Sequence, residues 1–319
     1  MAQLIKLQNY ISRYENDLFH YPARYVRLKK QEWGRFQENW THHKAASFVE
    51  TVQLKDEWMV EAEKERTGFF RSFFSKKEPL LSKEEGVQKE EDATLFSINE
   101  IESAYLHTEE DAKKLFVEKM YYFQVKWASS TLLHKSPLDH KYYVDERLKF
   151  LLQRLPDTFL VLYEPILRFQ KATVELDVVI ITPIAVWCLT FLEEQDEAVF
   201  AGTEERFWTK RYGDAQSKLL SPIVSLARTE TLVKKLLRDE QIDLPIRKAI
   251  LSRNGYIDYP SAPTGMDYID KRAFDTWFHY MRKMSSPLKT IQLKAAKALL
   301  DQADTISIRR PEWEEEELQ

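Results

Sequence analysis

The chain has 319 residues, 44% of them apolar and 31% charged, which is enough to bury a sizeable core and has the balance of a globular protein. A formal net charge of −4 supplies no global pull toward nucleic acid or anionic lipid, and only seven glycines argue against a turn-rich all-β fold. The single cysteine, Cys188, excludes an internal disulfide and a zinc site built on cysteines; within an apolar run it reads as a buried, reduced thiol.

The N-terminal segment MAQLIKLQNYISRYENDLFHYPARYV lacks the uninterrupted apolar region of a signal peptide and reads as an amphipathic helix. Leu4, Leu7, Tyr10, Ile11 and Tyr14 recur at helical spacing, Trp33, Phe36 and Trp40 do the same, and Phe48, Val49 and Val52 continue the trend. Helix is therefore expected over residues 4–68. No run approaches the ~20 apolar residues that span a bilayer, so a cytoplasmic protein is expected. Next comes GFFRSFFSKKEPLLSKEEGVQKEED, whose charged second half, interrupted by Pro79 and Gly86, reads as a linker or mobile loop over residues 68–95. Its first half sets Phe69, Phe70, Phe73 and Phe74 beside Arg71, Lys76 and Lys77. Those rings either cap the helical core or dock on a membrane surface or a partner groove. Helix resumes over residues 97–133, where Ser97 and Glu100 have capping-box spacing, and Pro137 marks a break.

From about residue 140 the pattern changes. Val144, Leu148, Leu151, Leu152 and Leu155 fall on one helix face. FLVLYEPIL, LDVVIIT and AVWCLTFL are short apolar runs rich in β-branched and aromatic residues and read as strands, with Pro165 and Pro183 at ends or turns. A helix over residues 224–237, a strand at IRKAILS, a short strand at YIDY and a helix over residues 271–284 complete the pattern. The expected architecture is α+β: a central mixed sheet flanked by helices, behind an α-helical N-terminal region.

The run DERLKFLLQRL, FLVLYEPIL, ELDVVIITPIAVWCLTFLE resembles the nuclease-related domain, NERD, a family placed in the PD-(D/E)XK nuclease superfamily. The resemblance covers residues 140–285 and implies a restriction-endonuclease-like fold. In that family an acidic residue lies on the first helix, a second acid of an E-I-D element opens a strand ending in T-P, the next strand ends in E-x-K, and a later helix begins N-P-x-x-Q. Here the helix acid aligns with Asp145, the E-I-D element with Glu175, Leu176 and Asp177, and the T-P with Thr182 and Pro183. The E-x-K positions fall at Thr190 and Leu192, and N-P-x-x-Q reads Ser221, Pro222, Ile223, Val224, Ser225.

The departures bear on chemistry. Members of the family are expected to hold Mg²⁺ with two or more carboxylates, because a hard cation takes oxygen ligands, and to orient the attacking water with the lysine. Asp145 and Asp177 are the carboxylates that would serve a metal, and with Thr190 and Leu192 beside them the site reads as degenerate. No cofactor is expected then; Mg²⁺ would be needed only by an active enzyme. A strand alternates its side chains, so Glu193 points away from the face of Thr190 unless a bulge shifts it, and Glu194 lies about 13 Å beyond position 190 at roughly 3.3 Å per residue. Arg228, three residues after Ser225 on one helix face, is a candidate replacement cation. Asp145 reads equally well as a helix-dipole partner, and Glu175 as a solvated edge residue. Asp177, leading into VVIIT, requires either a place at the sheet rim or a cation such as Arg168 or Lys171.

Three regions are expected: a helical one over residues 1–135, the NERD-like domain over residues 136–285, and a C-terminal helix with an acidic tail over residues 286–319. The expected role is nucleic-acid or protein binding or regulation. Nucleic acid would meet the nuclease-like face, and a protein partner the helical N-terminal region. A rearranged, active Mg²⁺-dependent nuclease and a purely structural interaction module are the rivals.

Overall fold

The computed structural model describes residues 1–57, 106–169 and 172–310, together with Phe96, Ile98 and Glu102; for residues 42–57 it gives the helical backbone alone. The phenylalanine-rich segment, the Ser97–Glu100 spacing, Lys171 and the acidic tail lie outside the described residues. The chain divides into two compact units, one of residues 1–26 and 121–319, the other of residues 27–120. No helix among the described residues is long and apolar enough to cross a membrane.

The second unit contains most of two helices, α2 (Tyr21–Glu57) and α3 (Glu109–Trp127). Trp33, Phe36 and Phe116 form its aromatic contact, with ring centroids 5.1–6.1 Å apart. The Trp40 indole N–H donates to the Leu106 carbonyl at 3.1 Å. The expected helix is therefore present from residue 21.

It does not extend to the N-terminus. Residues Gln3–Leu7 form strand β1, and a short helix α1 (Arg13–Asn16) follows, closed by a capping box of Ser12 and Glu15. All five residues of β1 are buried. Apolar residues at positions 4 and 7 fit a helical stripe, but they fit a strand covered on both faces equally well, and tertiary pairing decides. Burial takes in even Lys6, whose Nζ bonds Glu15 Oε1 and Thr305 Oγ1, each at 2.7 Å.

The first unit is α+β, built on a six-stranded mixed sheet in the order β1-β3-β6-β7-β11-β13. After α4 (Lys141–Val144) and α5 (Glu146–Arg154) come β3 (Leu160–Tyr163), β6 (Val178–Ile181) and β7 (Val186–Phe191), an antiparallel run. Helix α6 (Pro222–Asp239) then crosses over to β11 (Ile246–Leu251), parallel to β7, and β13 (Asp267–Ile269) extends the sheet. Helices α7 (Phe274–Arg282) and α8 (Thr290–Leu300) follow. Leu148, Leu151 and Leu152 of α5 and Trp277, Phe278 and Met281 of α7 pack with Val178, Ile180, Trp187 and Leu189 in one core. The alternate residues of those strands meet α6 and α8, which contact β6, β7 and β11. Cys188 is buried there, as its apolar surroundings require.

Two features of the strand region were not expected. FLVLYEPIL is two strands, because Glu164 takes a positive φ of 48° ahead of Pro165 and breaks β3 from β4 (Ile166–Phe169). β4 pairs with β5 (Ala172–Glu175) as a separate hairpin. Between β7 and α6 lie β8 (Val199–Ala201), β9 (Phe207–Tyr212) and β10 (Ala215–Leu220), which with β12 (Tyr256–Asp258) make a second sheet in the order β10-β9-β8-β12. A ribbon of two short strands, β2 (His134–Lys135) with β14 (Ile308–Arg309), completes the described strands.

Candidate functional site

Thr182 and Pro183 make the tight turn between β6 and β7: the Thr182 hydroxyl accepts the Ala185 N–H at 3.1 Å and donates to the Ala185 carbonyl at 2.8 Å. The turn fixes the register, pairing Val178 with Leu189. One step further out, Asp177 comes opposite Thr190 on the face that meets α6. There a cleft of about 160 Å³ opens, lined by Glu164, Glu175, Asp177, Thr190, Arg147 and Arg228 among others.

Asp177 forms its floor. Its Oδ2 accepts the Thr229 hydroxyl at 2.9 Å and its Oδ1 the Ser225 hydroxyl at 3.2 Å, while its N–H donates back to Thr229 Oγ1 at 2.9 Å. Helix α6 supplies both hydroxyls and Arg228, because Ser225, Arg228 and Thr229 share one face at helical spacing. Pro222 at the start of α6 sets its direction. Burial pushes the Asp177 carboxyl above its ordinary value, against the opposing pull of Thr190, Thr229, Ser225 and the Arg228 charge. The Thr190 hydroxyl oxygen is buried and faces this carboxylate, but makes no hydrogen bond of normal geometry. The rim is carboxylate too. Burial, then the charges of Asp145 and Glu175, push Glu164 up as well.

The remaining candidates are spoken for. Asp145 caps α5: its Oδ1 accepts the N–H groups of Arg147 and Leu148 at 2.9 and 3.0 Å, and its Oδ2 the Tyr163 hydroxyl at 2.8 Å. It does not line the cleft. Glu193 turns to Arg253, whose Nη2 reaches Oε2 at 2.7 Å, and Arg147 Nη2 donates to the Glu193 carbonyl at 2.7 Å. Glu194 pairs with Lys210. Leu192 is buried outside the cleft. Arg168 pairs with Asp304 rather than with Asp177. Glu175 is exposed at the cleft mouth.

The cleft thus brings together Asp177, Glu175 and Arg228, and leaves out Asp145 and Glu193. It adds Glu164 and Arg147, and Thr229, buried behind it, holds Asp177. Glu164 carried one signal in the sequence, an ionisable residue between an apolar strand and a proline. Thr229 carried another, a hydroxyl four residues after Ser225.

The donor set does not suit Mg²⁺. Among the described residues no three histidine, cysteine, aspartate or glutamate side chains group so as to hold a metal ion. Both Asp177 oxygens already accept hydroxyl protons, and the position facing it offers a neutral threonine oxygen. Mg²⁺ takes near-octahedral oxygen coordination through one or two carboxylates with waters and substrate phosphates, and the position facing Asp177 brings no second carboxylate.

Comparison with known proteins adds little. No protein-family model matches the chain, and no solved structure matches it. Over 40 residues, 12% of the chain, it is 48% identical to an RNA 2',3'-cyclic phosphodiesterase of Geobacillus stearothermophilus. The match spans 13% of that protein's length, the size of one supersecondary unit.

Proposed function

We propose that this chain is a nuclease-related protein of the NERD type that acts by binding and does not cut. The reading is supported by the order of α5, three antiparallel strands, α6 and a parallel strand, with Asp177 at the entrance to β6. One observation carries the loss of chemistry: the Asp177 carboxylate is held by the Ser225 and Thr229 hydroxyls, with Thr190 facing it where the resemblance places a glutamate. In such enzymes the metal and the lysine stabilise charge on the transferring phosphate, and a misplaced catalytic group costs several powers of ten in rate. The cleft lining, three carboxylates against two guanidiniums, suits phosphate poorly as well.

The test is cleavage of supercoiled plasmid and of single-stranded DNA and RNA with Mg²⁺ or Mn²⁺, wild type beside Asp177→Ala. The expected result is no metal-dependent cutting by either protein. Cutting by the wild type that disappears in Asp177→Ala would establish a rearranged active site and overturn the proposal.

A further inference from the structure

Among the described residues the β9–β10 ribbon stands largely in solvent. Tyr212 and Ala215 pair across a turn in which Gly213 takes a φ of +55°, the left-handed conformation that a two-residue hairpin requires. Five of the six residues of β10 are exposed. The two faces of the ribbon differ. On one, Trp208 is fully buried and Lys210 pairs with Glu194, so the base of that face lies on the protein, while Tyr212, Ala215 and Ser217 toward the tip are exposed. The other carries Phe207, Thr209 and Arg211 from β9 and, by register, Leu220, Lys218 and Gln216 from β10. Nothing in the described structure covers it: Phe207 is 48% and Leu220 49% exposed, and Arg211 and Lys218 are exposed.

Charge names the occupant. Over residues 204–220, Arg206, Lys210, Arg211 and Lys218 stand against Glu204, Glu205 and Asp214, and Lys210 is taken up by Glu194, so the cations offered by the outward face are Arg211 and Lys218, with Arg206 at its edge. The outward face itself bears no acid. Arg211 and Lys218 are diagonal neighbours across the strand pair, set about 7–8 Å apart by sheet geometry. The Arg206 guanidinium lies 5.8 Å from the Phe207 ring centroid. An exposed aromatic flanked by cations on a two-stranded surface is the combination that takes a base on the ring and phosphates on either side. A purely apolar partner would leave the cations unpaired.

We propose that the outward face of the β9–β10 ribbon is an arm that binds single-stranded nucleic acid, with Phe207 stacking on a base and Arg206, Arg211 and Lys218 holding phosphates. The arm lies outside the cleft, and its binding does not depend on whether the cleft is catalytic. It continues directly into α6, which holds Asp177, so a strand on the arm lies one element from the cleft.

The test is fluorescence anisotropy with a labelled oligothymidylate about 20 nucleotides long, and its RNA counterpart, in EDTA. The chelator silences any metal-dependent cutting, so failure here and failure of the non-cutting reading are separate results. Wild-type affinity should fall with salt, the logarithmic slope being about −0.7 per phosphate engaged. The double variant Arg211→Ala/Lys218→Ala should bind about tenfold more weakly or worse, with a slope shallower by about 1.4. Phe207→Ala should weaken binding about fivefold or more and leave the slope unchanged. Lys297→Ala, an exposed cation of α8, should bind as the wild type does. All these positions are exposed, and unchanged thermal unfolding confirms that the variants fold. Absence of binding at low salt overturns the proposal, as does binding that neither arm variant alters. A glutamate-rich peptide that competes as well as the oligonucleotide, with Phe207 immaterial, also overturns it in favour of an acidic protein partner.

Discussion

The two larger sheets of this chain are stabilised differently. In the central sheet, every residue of β3 and β6 and the first four of β7 are buried, with helices on both faces. In the second sheet Phe200, Trp208 and Ile257 are buried, and β9 and β10 stand largely in solvent. The first set of strands is held by apolar burial. The second is held by its backbone ladder, a hairpin turn of the right hand and a few anchoring rings. Burial sets where the chain cannot vary, and exposure sets where a partner can reach it.

The largest effect that tests this contrast is the loss of a core side chain. Ile180, fully buried in β6, packs in the core between the sheet and α5 and α7. Ile180→Ala is expected to cost about 2–5 kcal/mol through lost transfer energy and the cavity left behind. Leu220→Ala, on β10, is expected to stay within about 0.5 kcal/mol, since surface positions away from special features rarely exceed that. Urea denaturation measures both, as a shift of midpoint at constant slope. Equal losses would mean that the ribbon is covered in solution, and the contrast would fail.

The same contrast explains what the sequence made legible. Apolar runs announced β6 and β7, and α6 and α7 showed their stripes, because each of these elements buries a continuous face. β10, AQSKLL, is a strand without such a run, since neither alternation nor apolar content is needed where only the backbone pairs. β1 misled in the opposite way: buried on both faces, it mimicked a helix. In the cleft, the resemblance pointed to Asp177, and spacing from Ser225 pointed to Arg228; Glu193 lies outside the lining, but so does Leu192, which shares the parity of Thr190, because β7 ends at Phe191. Glu164 carried only its place between an apolar strand and a proline, and Arg147 no signal, because a positive-φ residue and a side chain reaching across from another helix leave no periodic trace. Asp145 was in place but in the other of its two roles.

That role gives a middle-sized prediction. Asp145→Ala removes the acceptor of two α5 N–H groups and of the Tyr163 hydroxyl, and is expected to cost about 0.5–2 kcal/mol. Asp145→Asn keeps an oxygen for the cap and should recover most of the loss. The edge of the central sheet would thereby stand between its core and the ribbon in sensitivity. Thermal unfolding of the two variants checks this, and equal destabilisation by both would point to the charge instead of the cap.

The smallest effect is in pH, and it comes from the charges that the central sheet buries at its open end. Burial raises the Glu164 and Asp177 carboxyls above their ordinary values. In the window between the ordinary and the raised value, the folded chain binds more protons than the unfolded chain does. Stability from these two groups is therefore fully present below the ordinary carboxylate range, falls as pH rises through the window, and is flat above it. Glu164→Gln removes one proton-binding difference, so the stability of the wild type minus that of the variant should decline with rising pH through that window and level off beyond it. Taking the difference cancels the other titrating groups, which both proteins share. Urea midpoints read across about pH 4 to 7 give the curve. A flat difference would mean that the Glu164 carboxylate is solvated in the folded chain, and that the end of the central sheet is as open as the ribbon.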